Sequence, residues 1–240
     1  MWLSVTAAAF ALRGPFYLLP GVGGLEDFAG LLAGGLGFAG FTFASACVMA
    51  LAFTRAPRAA AGLVRRAAGF EFVALGVRRE GVRAVLVLVV AGAGGAIVTW
   101  GTGGLLASSF TWHVPPSDPR DLTGAPVWSA LLFGLLAAPV PEEVLFRGPL
   151  LILAAALDRY RGTVLSKTTV TVLQLLGLVV SAGLFGWWHL NYSVFNAVAI
   201  AVAALVWGGL ALWGRSLLPA LVAHGLYDAA VFGLQATGSS

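Results

Sequence analysis

Residues 28–54 contain no charged side chain. A run of about 20 apolar residues is long enough to cross the hydrocarbon core of a bilayer as a helix. Lipid offers no hydrogen bonds, so such a segment must satisfy its backbone internally. Further apolar runs lie near 2–20, 84–107, 127–157, 168–189, 192–213 and 217–235. Of the 240 residues, 59% are hydrophobic and 10% charged, against roughly 25% charged in a soluble domain. Most of this chain therefore cannot face water. The expectation is an all-α, polytopic membrane bundle of about seven or eight helices with its active site inside. The single cysteine, Cys47, permits neither a disulfide framework nor a CxxC metal pair. The first apolar stretch runs into more hydrophobic sequence, so no cleavable signal peptide is expected.

Charge divides the chain. Arg55, Arg58, Arg65, Arg66, Arg78, Arg79 and Arg83 are offset by only Glu71 and Glu80. The excess of arginine predicts that loop 55–83 is cytoplasmic. It reads as a solvated basic loop or, through the interleaved Leu63, Val64, Phe70 and Phe72, as a helix lying on anionic lipid. Residues 1–125 are accordingly read as N-terminal transmembrane helices with a basic cytoplasmic loop, and 126–236 as the part that carries the chemistry. The net charge of +4 belongs to the loops and does not point to nucleic acid. Arg159, Arg161 and Lys167 mark another loop. The run 127–157 is too long for one simple crossing, and Pro139 and Pro141 predict a kink or break within it.

Seven of the ten acids lie in loops or at their edges, but Glu142, Glu143 and Asp228 do not. Arg147, His189 and His224 share their apolar segments. A charge at the bilayer centre costs about 2.5–3.5 kcal/mol on insertion scales. Six ionisable groups scattered over lipid-facing surfaces would be prohibitive, so they are expected to converge in the bundle interior.

Three clusters carry these groups. In Glu142-Glu143-Val144-Leu145-Phe146-Arg147, Glu143 and Arg147 are four apart and can pair on one helical face. Glu142 is rotated by about 100° and can face a different neighbour, so one acid is neutralised by Arg147 while the other stays available. In Phe185-Gly186-Trp187-Trp188-His189, Phe185 and His189 share a face, and Gly186 would let another backbone approach closely. In His224-Gly225-Leu226-Tyr227-Asp228, the acid can orient the imidazole or share its task. Each cluster taken alone also fits a structural role, as an ion-pair lock or a helix-packing hydrogen bond.

Together, Glu-Glu-x-x-x-Arg, Phe-x-x-x-His and His-x-x-x-Asp, in this order on consecutive apolar segments, resemble the three motifs of the CAAX prenyl protease and bacteriocin-processing (Abi) family of intramembrane glutamic endopeptidases. The resemblance covers about residues 127–235. It implies that Glu142 is the general base that activates water and that His189 helps to hold that water. It also implies that His224 and Asp228 steady the oxyanion and that Glu143 and Arg147 are a supporting pair, with Phe185 beside them. The family's third motif often ends in Asn, which can donate a hydrogen bond. Asp228 donates only when protonated, and the alternative role is to orient His224. The implied substrates are membrane-associated peptides or proteins: C-terminal tails of prenylated proteins, bacteriocin leaders or signalling-peptide precursors.

The resemblance implies no metal or cofactor. The competing donor set is Glu142, His189 and His224, which matches a His₂-carboxylate zinc site in residue types alone. Two other readings stand beside the protease: a non-catalytic membrane scaffold or regulator that keeps the polar cluster for folding, and a proton-coupled transporter that uses buried acids and histidines as a relay. A transporter predicts an internal repeat, and the sequence contains none that is visible. The expected partners are the lipid bilayer and a peptide or protein substrate at the membrane. A composition rich in Ala, Gly and Arg with one Lys is that of a GC-rich prokaryotic genome, which places the chain in a prokaryotic plasma membrane.

Overall fold

The computed structural model describes residues 19–20, 82–109 and 122–238. Among these, every long element is helical and there is no β-strand. Six α-helices follow one another: α1 Val82–Ser109, α2 Val127–Leu132, α3 Pro139–Arg159, α4 Lys167–Trp188, α5 Val194–Gly214 and α6 Leu218–Ala236. The basic loop 55–83 falls outside the described residues apart from its last two positions. The apolar runs near 2–20 and 28–54 and the helix count of the whole chain also lie outside them.

Local chemistry sets the boundaries. Pro139 has no N–H, so the carbonyl of Leu135 loses its usual helical donor. The backbone answers with a π-helical turn, Phe133–Ala137, in which Ala138 N–H donates to Phe133 O at 3.1 Å. α3 then starts at Pro139, so the break expected at Pro139–Pro141 falls just ahead of the first proline. Ser166 caps α4 by accepting from Thr169 N–H at 3.0 Å, and Ser193 caps α5 by accepting from Asn196 N–H at 2.9 Å. Lys167, expected in a loop, is the first residue of α4, because the Ser166 cap opens the helix directly before it. Arg215 ends α5 in the left-handed region, with φ 51°, and Pro219 opens α6.

Four helical stretches are long and apolar enough to cross a membrane: Val85–Ser109, Val127–Arg159, Lys167–Asn191 and Val194–Gly214. The chain is an integral membrane protein. Of the hydrophobic window in Val127–Arg159, 67% is buried, against 22% in Lys167–Asn191. α3 is thus the central helix, while α4 turns Leu175, Val179 and Val180 outward. α3 and α4 run antiparallel: Gln174 of α4 reaches Asp158 at the end of α3, and Ser181 donates to the Phe146 carbonyl near its beginning at 2.9 Å. α6 packs against α1, α5 and the π-turn. A core of Val144, Leu151, Phe185, Ala204 and Trp207 fills the space between α3, α4 and α5.

Candidate functional site

The start of α3, the end of α4 and the middle of α6 meet in this core, and they bring the three sequence clusters together. Glu143, Arg147, His189 and His224 are buried, and Glu142 is 8% exposed. His224 is the hub. It donates from Nδ1 to Glu143 Oε1 at 2.9 Å. Its other nitrogen, Nε2, lies 3.3 Å from Asp228 Oδ2 and 3.8 Å from Glu142 Oε2.

The expected ion pair of the first cluster is present, with Arg147 Nε 3.2 Å from Glu143 Oε2. Its guanidinium makes no aligned hydrogen bond among the described residues. The cation instead lies over the faces of Phe185 and Trp207, with Cζ 4.5 Å and 5.8 Å from the ring centroids. Despite their helical offset, the adjacent acids have one neighbour in common. Both reach His224, because an imidazole presents a nitrogen at each of two edges.

His189 leaves the end of α4 on a short 3-10 turn. Its Nδ1 is 2.8 Å from the Phe185 carbonyl. A carbonyl can only accept, so Nδ1 carries a proton, and when the ring is neutral the lone pair is on Nε2. The Phe185 ring is the physical link between the second and third clusters, with centroids 4.6 Å from His189 and 5.8 Å from His224. Phe146 stacks edge-on against the same ring at 4.8 Å. Gly186 allows the close approach expected of it: a Cβ there would meet the Ala197 carbonyl of α5 at 2.6 Å.

Two contributors were not visible in the sequence. Trp207 of α5 stacks on His224 at 4.0 Å and 17°. Thr99 of α1 accepts a hydrogen bond from Trp207 Nε1 at 3.0 Å. Trp207 lies in an unbroken apolar run that reads equally well as a lipid-facing stretch, and Thr99 lies outside all three motifs. Among the described residues, no three His, Cys, Asp or Glu side chains are arranged to hold a metal ion.

Helices able to span a bilayer, with carboxylates and histidines gathered between them, define a polytopic membrane protein with a buried acid–imidazole centre. Residues 124–230, a little under half of the chain, match the family model of the type II CAAX prenyl endopeptidases, Rce1-like. This segment holds all three clusters, and the match bears out the resemblance to CAAX-type membrane proteases drawn from them. No curated protein and no solved structure matches the chain.

Proposed function

We propose that this chain is an intramembrane endopeptidase that hydrolyses a peptide bond of a membrane-associated or lipidated substrate with water activated by Glu142. The observation that carries this reading is the convergence of Glu142, Glu143 and Asp228 on one buried imidazole, His224, within the segment that matches the endopeptidase family.

In the proposed reaction Glu142, the least buried of the two glutamates, takes a proton from water, assisted by His189. The hydroxide oxygen bonds to the scissile carbonyl carbon, and the carbonyl oxygen becomes the oxyanion. A proton held on His224 Nε2 is placed to donate to it, and such preorganised donors are worth several kcal/mol in a dry site. The carbon–nitrogen bond then breaks as Glu142 passes its proton to the leaving amine. The products are a carboxylic acid and an amine, which takes up the acid's proton to leave a carboxylate and an ammonium, and the carboxylate of Glu142 is restored. Glu143 and Arg147 hold His224 in place, and Asp228 orients it from the opposite edge.

The wider reading follows the same line. About seven or eight helices form one unit, with residues 126–236 as the catalytic core and 1–125 as supporting helices, in a prokaryotic plasma membrane. The mechanism requires no cofactor. The partners are lipid and a peptide or protein substrate, not nucleic acid, and the tail of a prenylated protein is the substrate that the matched family's name suggests.

The test is cleavage by the full chain in lipid vesicles of a quenched farnesylated CAAX peptide, its unprenylated twin and bacteriocin-leader peptides, read beside Glu142→Gln. The variant keeps the shape but cannot take the proton, so turnover should fall roughly 10²–10⁴-fold. Full activity in Glu142→Gln would end the glutamic mechanism.

A further inference from the structure

We infer that Trp207, itself oriented by Thr99, sets the ring plane of His224, which makes α1 part of the site although it lies outside the segment that matches the endopeptidase family. Trp207 is completely buried. Its indole lies flat against the imidazole, with centroids 4.0 Å apart and 17° between planes.

His224 must aim both nitrogens at once, Nδ1 at Glu143 and Nε2 at Asp228 and Glu142. The terminal torsion of histidine has a broad profile and does not impose that plane by itself. A stacked aromatic wall does impose it, and the negative face of an indole also favours a ring that carries charge. Phe185 closes a different side, edge-on at 83°.

The wall is held in turn. Trp207 Nε1 donates to Thr99 Oγ1 at 3.0 Å, and the Thr99 hydroxyl donates to the Gly95 carbonyl at 2.9 Å. Every polar atom of that relay is satisfied in a water-poor interior, so the indole has one preferred orientation. α1 comes close enough to supply the hydroxyl because Gly95 has no side chain: a Cβ there would meet Leu210 Cδ1 at 2.4 Å and Ala223 Cβ at 3.2 Å.

Trp207 and Thr99 are thus positioning residues, a role that rests on the endopeptidase reading only for its catalytic consequence. The experiment uses the full chain in nanodiscs with isotope-labelled histidine rings. The chain has 3 histidines, and the His224 signal is assigned by difference from His113→Gln and His189→Gln. Stacking on the indole shifts the His224 ring protons upfield. Thr99→Val and Trp207→Phe should move that signal, Trp207→Leu should abolish the upfield shift, and Thr99→Ser should restore it.

With the farnesylated CAAX peptide, Thr99→Val and Trp207→Phe should lower kcat roughly tenfold at unchanged KM, short of the ~100-fold that misplacing a reacting group by 1 Å can cost. Thr99→Ser should recover the rate. A His224 signal indifferent to both Thr99→Val and Trp207→Phe overturns the inference, as does a moved signal with an unchanged kcat. If the wild type cleaves none of the peptides while Thr99→Val still moves the signal and Thr99→Ser returns it, the positioning stands and the endopeptidase reading fails.

Discussion

His224 and Glu143, 81 residues apart in sequence, share a 2.9 Å hydrogen bond in the interior of the bundle. The same Glu143 is paired with Arg147 one helical turn along α3. The guanidinium is therefore the neutralising charge of a carboxylate that no water reaches.

Removing that charge should be costly. Breaking a buried ion pair from one side leaves an uncompensated charge and typically costs roughly 3–5 kcal/mol. Arg147→Ala should accordingly lower thermal stability in detergent by far more than Glu142→Ala, since Glu142 is less buried than the Glu143 carboxylate that Arg147 pairs with. Equal unfolding temperatures for the two variants would show that Arg147 does not carry this load.

Asp228 approaches His224 from the edge opposite Glu143, at 3.3 Å. If its work is to orient the ring, an amide oxygen at the same place still accepts from Nε2–H, and an amide NH₂ adds a donor. Asp228→Asn should keep kcat/KM within about tenfold of the wild type, while Asp228→Ala, which loses one hydrogen bond to a charged partner, should lose more. Peptide turnover by the two variants in one vesicle preparation separates them. An asparagine variant as poor as the alanine would assign the carboxylate a proton-carrying role instead.

A chelator should leave cleavage unchanged, since the proposed water is activated by Glu142 with His189 and by no metal. Loss of activity on chelation, with recovery on adding zinc, would instead support a site built from Glu142, His189 and His224.

The helical character of the chain and the pairs within one turn were legible in the sequence because they depend on periods of 20 residues and of four. Glu143 with Arg147, and His224 with Asp228, are of this kind. The hydrogen bond from His224 to Glu143 was not legible, because it depends on how α6 crosses α3. The stack of Trp207 on His224 was hidden for another reason: a tryptophan among alanines and valines has the same pattern whether it faces lipid or a histidine. The helical offset of Glu142 from Glu143 did not show that both acids approach one ring, each at a different nitrogen.

The π-turn offers the sharpest test of how the fold places Asp228. Pro139 strips the Leu135 carbonyl of its helical donor, and Gly225, next to His224, passes close by: a Cβ there would meet that oxygen at 3.0 Å. One residue earlier, Gly134 faces the α6 backbone so closely that a Cβ would lie 2.6 Å from Ala229 N and 2.7 Å from the Asp228 carbonyl carbon. Neither obstacle is a side chain that can swing aside, so Gly134→Ala must push α6 away from the π-turn and carry Asp228 with it. Overpacking of this kind typically costs about 1–3 kcal/mol. Gly209→Ala is the control: nothing lies within 4 Å of its added methyl, and alanine is the better helix former by roughly 0.5–1 kcal/mol. Gly134→Ala should therefore unfold at lower temperature and lose peptide turnover, while Gly209→Ala should match or exceed the wild type in stability and keep its rate. Wild-type stability and turnover in Gly134→Ala would mean that α6 does not rest on the π-turn, and that its packing against α1 and α5 sets the position of Asp228 instead.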